Sequence, residues 1–358
     1  MSKFPIHFPH AHLRTYLAAG YMLFIVYASL SPFSGWREQG LEFSAVLAAP
    51  LLRQYTWFDV AANFLAYLPF GLLLGLTLRA HMNAVWSVLF TTLDGAVLSS
   101  AMEYAQMYLP IRISSNLDLL ANTAGAMLGV LMAVSIAPRA WFALHLKYWR
   151  LRLFREGGNM DFGLALVVLW MFAQINPSLP MLGNVFISKV VRTPFVVAEP
   201  EPFHWMVSGA VALNLLMLGL LFLTQLRKRR HAVNALLLVL CAVALTKFIA
   251  AAVLLKSWAL LLWLNSEALL GIFVGLLLLI AAIRFSYMWT LWCAAITAIF
   301  YLVVAHWMLD NGEPSIAMPL YQWNYGHLLN YNGLSQTIAL VLPLLMLGYL
   351  WNIWRLRK

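Results

Sequence analysis

Long apolar runs alternate with short polar connections along almost the whole chain. About 20 apolar residues in a helix cross the hydrocarbon core of a bilayer, so each run is a candidate span. The candidate spans are 14–31, 60–79, 84–109, 116–136, 161–176, 206–226, 232–255, 266–283, 287–305 and 336–354. Backbone polar groups must be satisfied internally in lipid. The pattern therefore predicts an all-α, polytopic transmembrane helical bundle of about ten helices, the first retained and not cleaved as a signal peptide.

Composition agrees with a membrane protein. The 358 residues are 63% hydrophobic and 10% charged, whereas soluble domains carry about 25% charged residues. The two cysteines, Cys241 and Cys293, lie inside apolar spans and lack the spacing of a metal site or a disulfide framework. We predict no cofactor and no bound metal.

Positive charge is distributed unevenly between the two predicted sides. With the N-terminus placed in the cytoplasm, the inner side holds 16 of the 23 Lys and Arg and the outer side holds six. This bias follows the positive-inside rule. It predicts a bacterial cytoplasmic (inner) membrane protein with both termini in the cytoplasm. The net charge of +10 is explained by topology and by anionic lipid on the cytoplasmic side, so nucleic acid is not expected as a partner.

A basic and aromatic stretch divides the chain into two parts. Residues 138–160 are expected to lie along the cytoplasmic headgroup layer. They separate a four-helix membrane domain, 1–137, from a six-helix membrane domain of unknown type, 161–358. Two long outer segments, 177–205 and 306–335, are expected to be functional or partly structured.

Seven polar residues lie near the ends of the second, third and fourth predicted spans, on the side predicted to be outside. They are Asp59, Asn63, Glu103, Gln106, Arg112, Asp118 and Asn122. A carboxylate inside a helix end needs a partner or a wet cavity, and Arg112 is expected to contact Glu103 or Asp118. Two interpretations remain open: a hydrogen-bonded staple that fixes the bundle, or a site that binds a polar or anionic head group from outside.

Local signals place these residues in helices. Ser115 or Asn116 is expected to cap the fourth span. Gly71 and Gly75 on the second span permit close helix contact, and a stripe of small residues follows Asp118 and Asn122 on the fourth. Two further charges, Asp94 and Lys247, lie inside predicted spans, and they either serve a function or pair with each other.

The runs "NFLAYLPFGLLLG" and "EYAQMYLPIRISSNLDLLANTAGAMLG" resemble the VanZ-like family over about residues 15–137. Glu103, Gln106, Arg112, Asp118 and Asn122 match the family's polar motif position by position. Many members carry a histidine where this chain has Asn63. The family is named after a protein associated with low-level resistance to teicoplanin, and other members resemble components of envelope and exopolysaccharide systems.

Three functions are compatible with these observations. The first is a cell-envelope protein that recognises a lipid-linked glycan or glycolipid at the outer face, linked to glycopeptide resistance or exopolysaccharide production. The second is a membrane-embedded transferase or hydrolase acting on such a lipid, with Glu103 or Asp118 as base and Arg112 holding a phosphate or carboxylate. The third is a transporter that uses Asp94 and Lys247, which the lack of repeats and of broken helices disfavours.

Overall fold

The computed structural model describes residues 12–31, 33–50, 57–136, 148–187, 203–309, 314–323 and 326–356. Eight of the described helices are long and apolar enough to span a membrane. Two shorter apolar helices, Asn159–Ile175 and Ser266–Ala282, stand where the other two spans are predicted. The described residues form helices and no sheet, with two isolated β-bridges. The prediction of an all-α, polytopic helical bundle is confirmed.

The chain divides into two compact units, Met1–Arg150 and Leu151–Lys358. The division falls inside the predicted interfacial segment 138–160. Residues 148–153 of that segment are helical, and residues 138–147 lie outside the described residues.

Five helices of the described residues lie wholly within the first unit. They are α1 (Leu13–Leu30), α2 (Phe43–Ala48), α3 (Trp57–Leu78), α4 (Ala84–Gln106) and α5 (Asn116–Ile136). The short helix α2 lies within the long connection between the first two spans. Asn83 caps α4 by accepting a hydrogen bond from the Trp86 amide, as expected of an N-cap asparagine.

Helices α3 and α5 pack backbone against backbone. A Cβ atom added to Gly71 would come within 2.0 Å of the Ala126 carbonyl oxygen, and one on Gly125 within 2.1 Å of the Phe64 carbonyl oxygen. Glycine is therefore required at both positions, as in other membrane helix pairs with small residues at the interface. This packing brings the starts of α3 and α5 together.

Six longer helices lie in the described part of the second unit. They are α6 (Gly158–Ile175), α7 (Trp205–Gln225), α8 (Ala232–Leu254), α9 (Ser266–Ala282), α10 (Tyr287–Leu309) and α11 (Gly326–Arg355). Most of α7 is buried, and it packs against α8, α9 and α10. It is the central helix of this unit because its sequence is apolar on every side.

Two segments of the second unit differ from their predicted form. Helix α11 begins at Gly326, whereas the sequence pattern predicts residue 336. The extra turns contain Asn330, Asn332 and Ser335, which are buried against other parts of the protein. Because these turns do not face lipid at those positions, they form a helix without an apolar sequence there. Residues 176–187 are non-helical and almost entirely buried, whereas the sequence pattern predicts the last residue of a span at 176 and the start of an outer segment at 177. The rest of that loop, 188–202, lies outside the described residues.

Candidate functional site

The turn between α4 and α5 folds back onto the end of α4. The Ser115 amide donates to Glu103 Oε2 over 2.7 Å, and Ser114 Oγ donates to the Glu103 carbonyl oxygen over 2.6 Å. Ser115 Oγ also accepts from the amides of Leu117 and Asp118. Ser115 is therefore the N-cap of α5, one of the two residues predicted for that role, and it also provides a donor for the buried Glu103 carboxylate.

Asp118 and Asn122 connect α5 to its two neighbours. The Asp118 carboxylate lies near the Asn63 side chain on α3, and the charge of Asp59 acts on it. One turn further along, Asn122 Nδ2 donates to Ser99 Oγ on α4 over 3.0 Å. The i, i+4 spacing predicted from the sequence thus presents two polar side chains to α3 and α4.

Gln106 and Arg112 turn toward the end of α1. Gln106 Nε2 donates to the Ser29 carbonyl oxygen over 3.0 Å, and Arg112 Nη2 donates to the carbonyl oxygens of Ala28 and Ser31 over 2.8 and 3.3 Å. The charge of Glu103 also acts on Arg112. Burial lowers the pKa of the Arg112 guanidinium, while Glu103 raises it, and an arginine stays protonated throughout.

The seven residues predicted from the sequence thus lie at one end of the first unit. We call the group Asp59, Asn63, Glu103, Gln106, Arg112, Asp118 and Asn122 the polar cluster. In the described part of the chain, no three His, Cys, Asp or Glu side chains converge as a metal site requires. A functional role for the cluster stays a prediction.

Several oxygen atoms in the polar cluster are buried without a hydrogen-bond partner. Among the described residues these are Asp118 Oδ1 and Asn122 Oδ1, and the Tyr67 hydroxyl lies beside them near Ser99 and Glu103 without a hydrogen bond of normal geometry. Asn122 is 5% exposed and Tyr67 is 3% exposed. Buried polar groups are nearly always hydrogen-bonded, so exceptions of this kind need an explanation.

Two contributors to the site were not anticipated from the sequence. Ser114 closes the turn onto α4, and Asn116 Nδ2 donates to the carbonyl oxygens of Leu47 and Ala49 at the end of α2. Serine and asparagine are common in any turn, so no sequence signal marks these two for tertiary contacts.

The two intramembrane charges have different surroundings. Lys247 on α8 is 0% exposed, and its ammonium donates to the carbonyl oxygens of Gln174 and Pro180 over 3.0 and 3.4 Å. Asp94 is exposed on α4 within the first unit. Backbone carbonyls of its own unit therefore hold Lys247, and a pairing of Lys247 with Asp94 stays a prediction.

A second buried polar network surrounds the non-helical segment 176–187, and the sequence analysis missed it. Asn332 Oδ1 accepts from Asn176 Nδ2, Ser178 Oγ and the Tyr321 hydroxyl over 2.9, 3.1 and 2.7 Å. Gln174 Oε1 accepts from the Leu182 amide over 2.9 Å. These residues are far apart in sequence, so only the folded chain brings them together.

Comparison with known proteins extends the motif resemblance of the first unit. A family model described as VanZ/LLP1 matches residues 11–137. No curated protein and no solved structure matches the chain. The matched range contains α1 to α5 and the whole polar cluster. The similarity to the VanZ/LLP1 family therefore covers residues 11–137, the N-terminal part of the chain.

Proposed function

We propose that the first unit binds the polar head group of an envelope lipid, a lipid-linked glycan or a glycolipid, from the outer face of the cytoplasmic membrane. The similarity to the VanZ/LLP1 family, whose name connects it to glycopeptide resistance, supports an envelope role. The Lys and Arg bias supports the outer location of the polar cluster and cytoplasmic termini.

One observation favours this proposal over the alternative in which the polar cluster only holds the helices together. A staple that only holds helices together satisfies its own polar atoms, because an unsatisfied buried acceptor costs about 1–3 kcal/mol. Asp118 Oδ1 and Asn122 Oδ1 are buried and unpartnered within the described residues. A bound head group would supply the missing hydrogen-bond donors.

Photo-crosslinking in living cells tests the proposal. A benzoyl-phenylalanine replacing Ile113, which is 80% exposed in the turn beside Arg112, should capture a glycan-bearing lipid. The matched control replaces Val85, which is 74% exposed at the other end of the same pair of helices. Mass spectrometry of the purified adducts identifies the lipid at each position.

The expected result is enrichment of the glycan-bearing lipid at position 113 over position 85. The same bulk phospholipids at both positions would contradict the proposal. Asp118→Asn should weaken the capture at position 113 without changing the lipids at position 85.

An enzyme acting on the same lipid is the less favoured alternative. It needs Arg112 to hold a phosphate or carboxylate, yet Arg112 Nη2 already donates to two carbonyl oxygens of its own chain. The geometry therefore supports binding better than group transfer.

A transport role for the second unit is favoured by one specific observation. Helix α6 ends at Ile175, and a buried non-helical segment follows it beside Lys247. Lys247 lies about 10 Å inside the end of α8 at 1.5 Å per residue. Buried non-helical backbone is also found where the helices of transporters are interrupted, and this likeness supports the second candidate; the expectation that the chain lacks broken helix pairs stays a prediction.

Proton flux into proteoliposomes carrying an internal pH dye tests this second candidate. An imposed membrane potential should drive a flux that Lys247→Gln abolishes and that Thr246→Ala, on the neighbouring exposed position, leaves intact. A flux equal to that of protein-free liposomes would reject proton-coupled transport.

A further inference from the structure

The two buried side-chain oxygens of the polar cluster that lack a hydrogen bond share one chemical character. Asp118 Oδ1 and Asn122 Oδ1 are hydrogen-bond acceptors. They lie one helical turn apart on α5, on the side of that helix that contacts Asn63 and Ser99. A ligand that satisfies them must bring hydrogen-bond donors.

The charge of the cluster points the same way. The cluster contains three acidic residues, Asp59, Glu103 and Asp118, and one guanidinium, and Asp118 interacts electrostatically with both of the other acids. A phosphate head group would add negative charge beside them in a poorly solvated site, where like charges repel strongly. Sugar hydroxyls add donors and no charge.

The Nη2 atom of Arg112, the one cation among these seven residues, is already engaged. Arg112 donates to the carbonyl oxygens of Ala28 and Ser31 and lies within the field of Glu103. A bidentate grip on a phosphate would require those contacts to be given up.

We propose that the polar cluster recognises the sugar hydroxyls of a glycolipid through the acceptors of Asp118 and Asn122, and that it rejects a phosphate head group. This inference rests on the proposed lipid-binding function and names the part of the lipid that is bound. The sugar of a lipid-linked glycan would then enter the site, and its phosphate would stay outside.

Native mass spectrometry of the full chain in detergent tests the inference. The probes are three lipids with identical acyl chains: monoglucosyl-diacylglycerol, phosphatidic acid and unmodified diacylglycerol. We expect the glucosyl lipid to be retained about tenfold more than phosphatidic acid, because its hydroxyls can donate to a charged acceptor that would repel a phosphate.

Two variants and one control connect the preference to the cluster. Asn122→Ala should reduce glucosyl-lipid retention to the level of diacylglycerol, whereas Thr123→Ala, which loses only a bond to the Leu119 carbonyl oxygen of its own helix, should not. Asp118→Asn should raise phosphatidic acid retention while lowering that of the glucosyl lipid. If Asn122→Ala does not fold, the opposite shifts in Asp118→Asn decide the question.

The outcomes separate this inference from the function it rests on. Equal or greater retention of phosphatidic acid would overturn the sugar-hydroxyl inference and leave lipid binding standing. Retention of neither lipid above diacylglycerol would overturn the inference, and combined with no glycan-lipid capture at position 113 it would also end the proposed function.

Discussion

At the scale of single residues, the first unit uses each polar side chain for a different connection. Glu103 and Ser115 join the end of α4 to the start of α5. Asn63 on α3 lies near Asp118 on α5. Arg112 holds the end of α1 through two carbonyl oxygens. The cluster therefore has structural contacts of its own, and its unpartnered acceptors are additional to them.

Arg112→Lys should lower the thermal unfolding midpoint of the purified protein. A lysine ammonium is a point charge on a flexible stem and does not reproduce the rigid fork of donors, so we expect a loss of about 1–2 kcal/mol. Arg37→Lys is the control, because Arg37 is exposed in the same unit. An unchanged midpoint for Arg112→Lys would show that these contacts contribute nothing to stability.

At the scale of secondary-structure elements, two kinds of helix contact occur. Helices α3 and α5 approach so closely that only glycine fits at Gly71 and Gly125. Helix α6 instead stops inside its unit and is followed by a buried segment that Lys247 holds. The first contact depends on the absence of side chains, and the second on one long charged side chain.

Gly125→Ala should destabilise the first unit by about 1–3 kcal/mol, the usual cost of overpacking. The new methyl group would lie 2.1 Å from a backbone oxygen, so α3 and α5 must separate. Gly20→Ala on α1 is the matched control, since nothing lies within 4 Å of its added Cβ atom. Circular dichroism melts in detergent measure both variants, and equal melting temperatures would contradict the close packing.

Lys247→Met should loosen the segment 176–187 while leaving the helices folded. The change removes the ammonium that now donates hydrogen bonds to the carbonyl oxygens of Gln174 and Pro180. Leaving a buried acceptor unsatisfied destabilises the folded state by about 1–3 kcal/mol. Hydrogen exchange of the amides of Ser178 and Leu182 reports the change. Thr246→Ala should leave exchange as it is, and slow exchange in Lys247→Met would mean that Lys247 does not hold the segment.

At the scale of the whole molecule, the chain comprises two units with different chemistry. The first unit carries the acidic cluster and the family resemblance, while the second carries a buried ammonium and a network of neutral amides and hydroxyls. The topology predicted from the Lys and Arg bias places both termini of the chain in the cytoplasm.

Cysteine labelling in a variant lacking Cys241 and Cys293 tests that orientation. Ser34→Cys should react with a membrane-impermeant maleimide in intact cells, and His81→Cys should react only after permeabilisation. Both positions are exposed. Ser178 and Gly312, in the two long segments predicted to be outside, would be natural labelling positions from the sequence alone, but Ser178 is buried and Gly312 lies outside the described residues. The reverse labelling pattern would invert the proposed topology.

The sequence by itself determined the fold class and most of the candidate site. Apolar run length located the helices because the bilayer fixes the length of a span. The i, i+4 spacing of Asp59 with Asn63 and of Asp118 with Asn122 placed each pair on one helix face, and the short turn at Arg112 put α4 and α5 side by side. These are local properties, so a pattern along the chain records them.

Only the tertiary structure decided what the polar side chains contact. Arg112 and Gln106 reach carbonyl oxygens of α1, more than 75 residues away, and Asn332 gathers Asn176 and Ser178 from over 150 residues away. The burial of residues 176–187 and the early start of α11 likewise depend on contacts between residues that are distant in sequence. A polar stretch of sequence predicts an exposed segment as long as its hydrogen-bond partners cannot be identified. Here the partners are distant in sequence, and they allow polar residues to be buried.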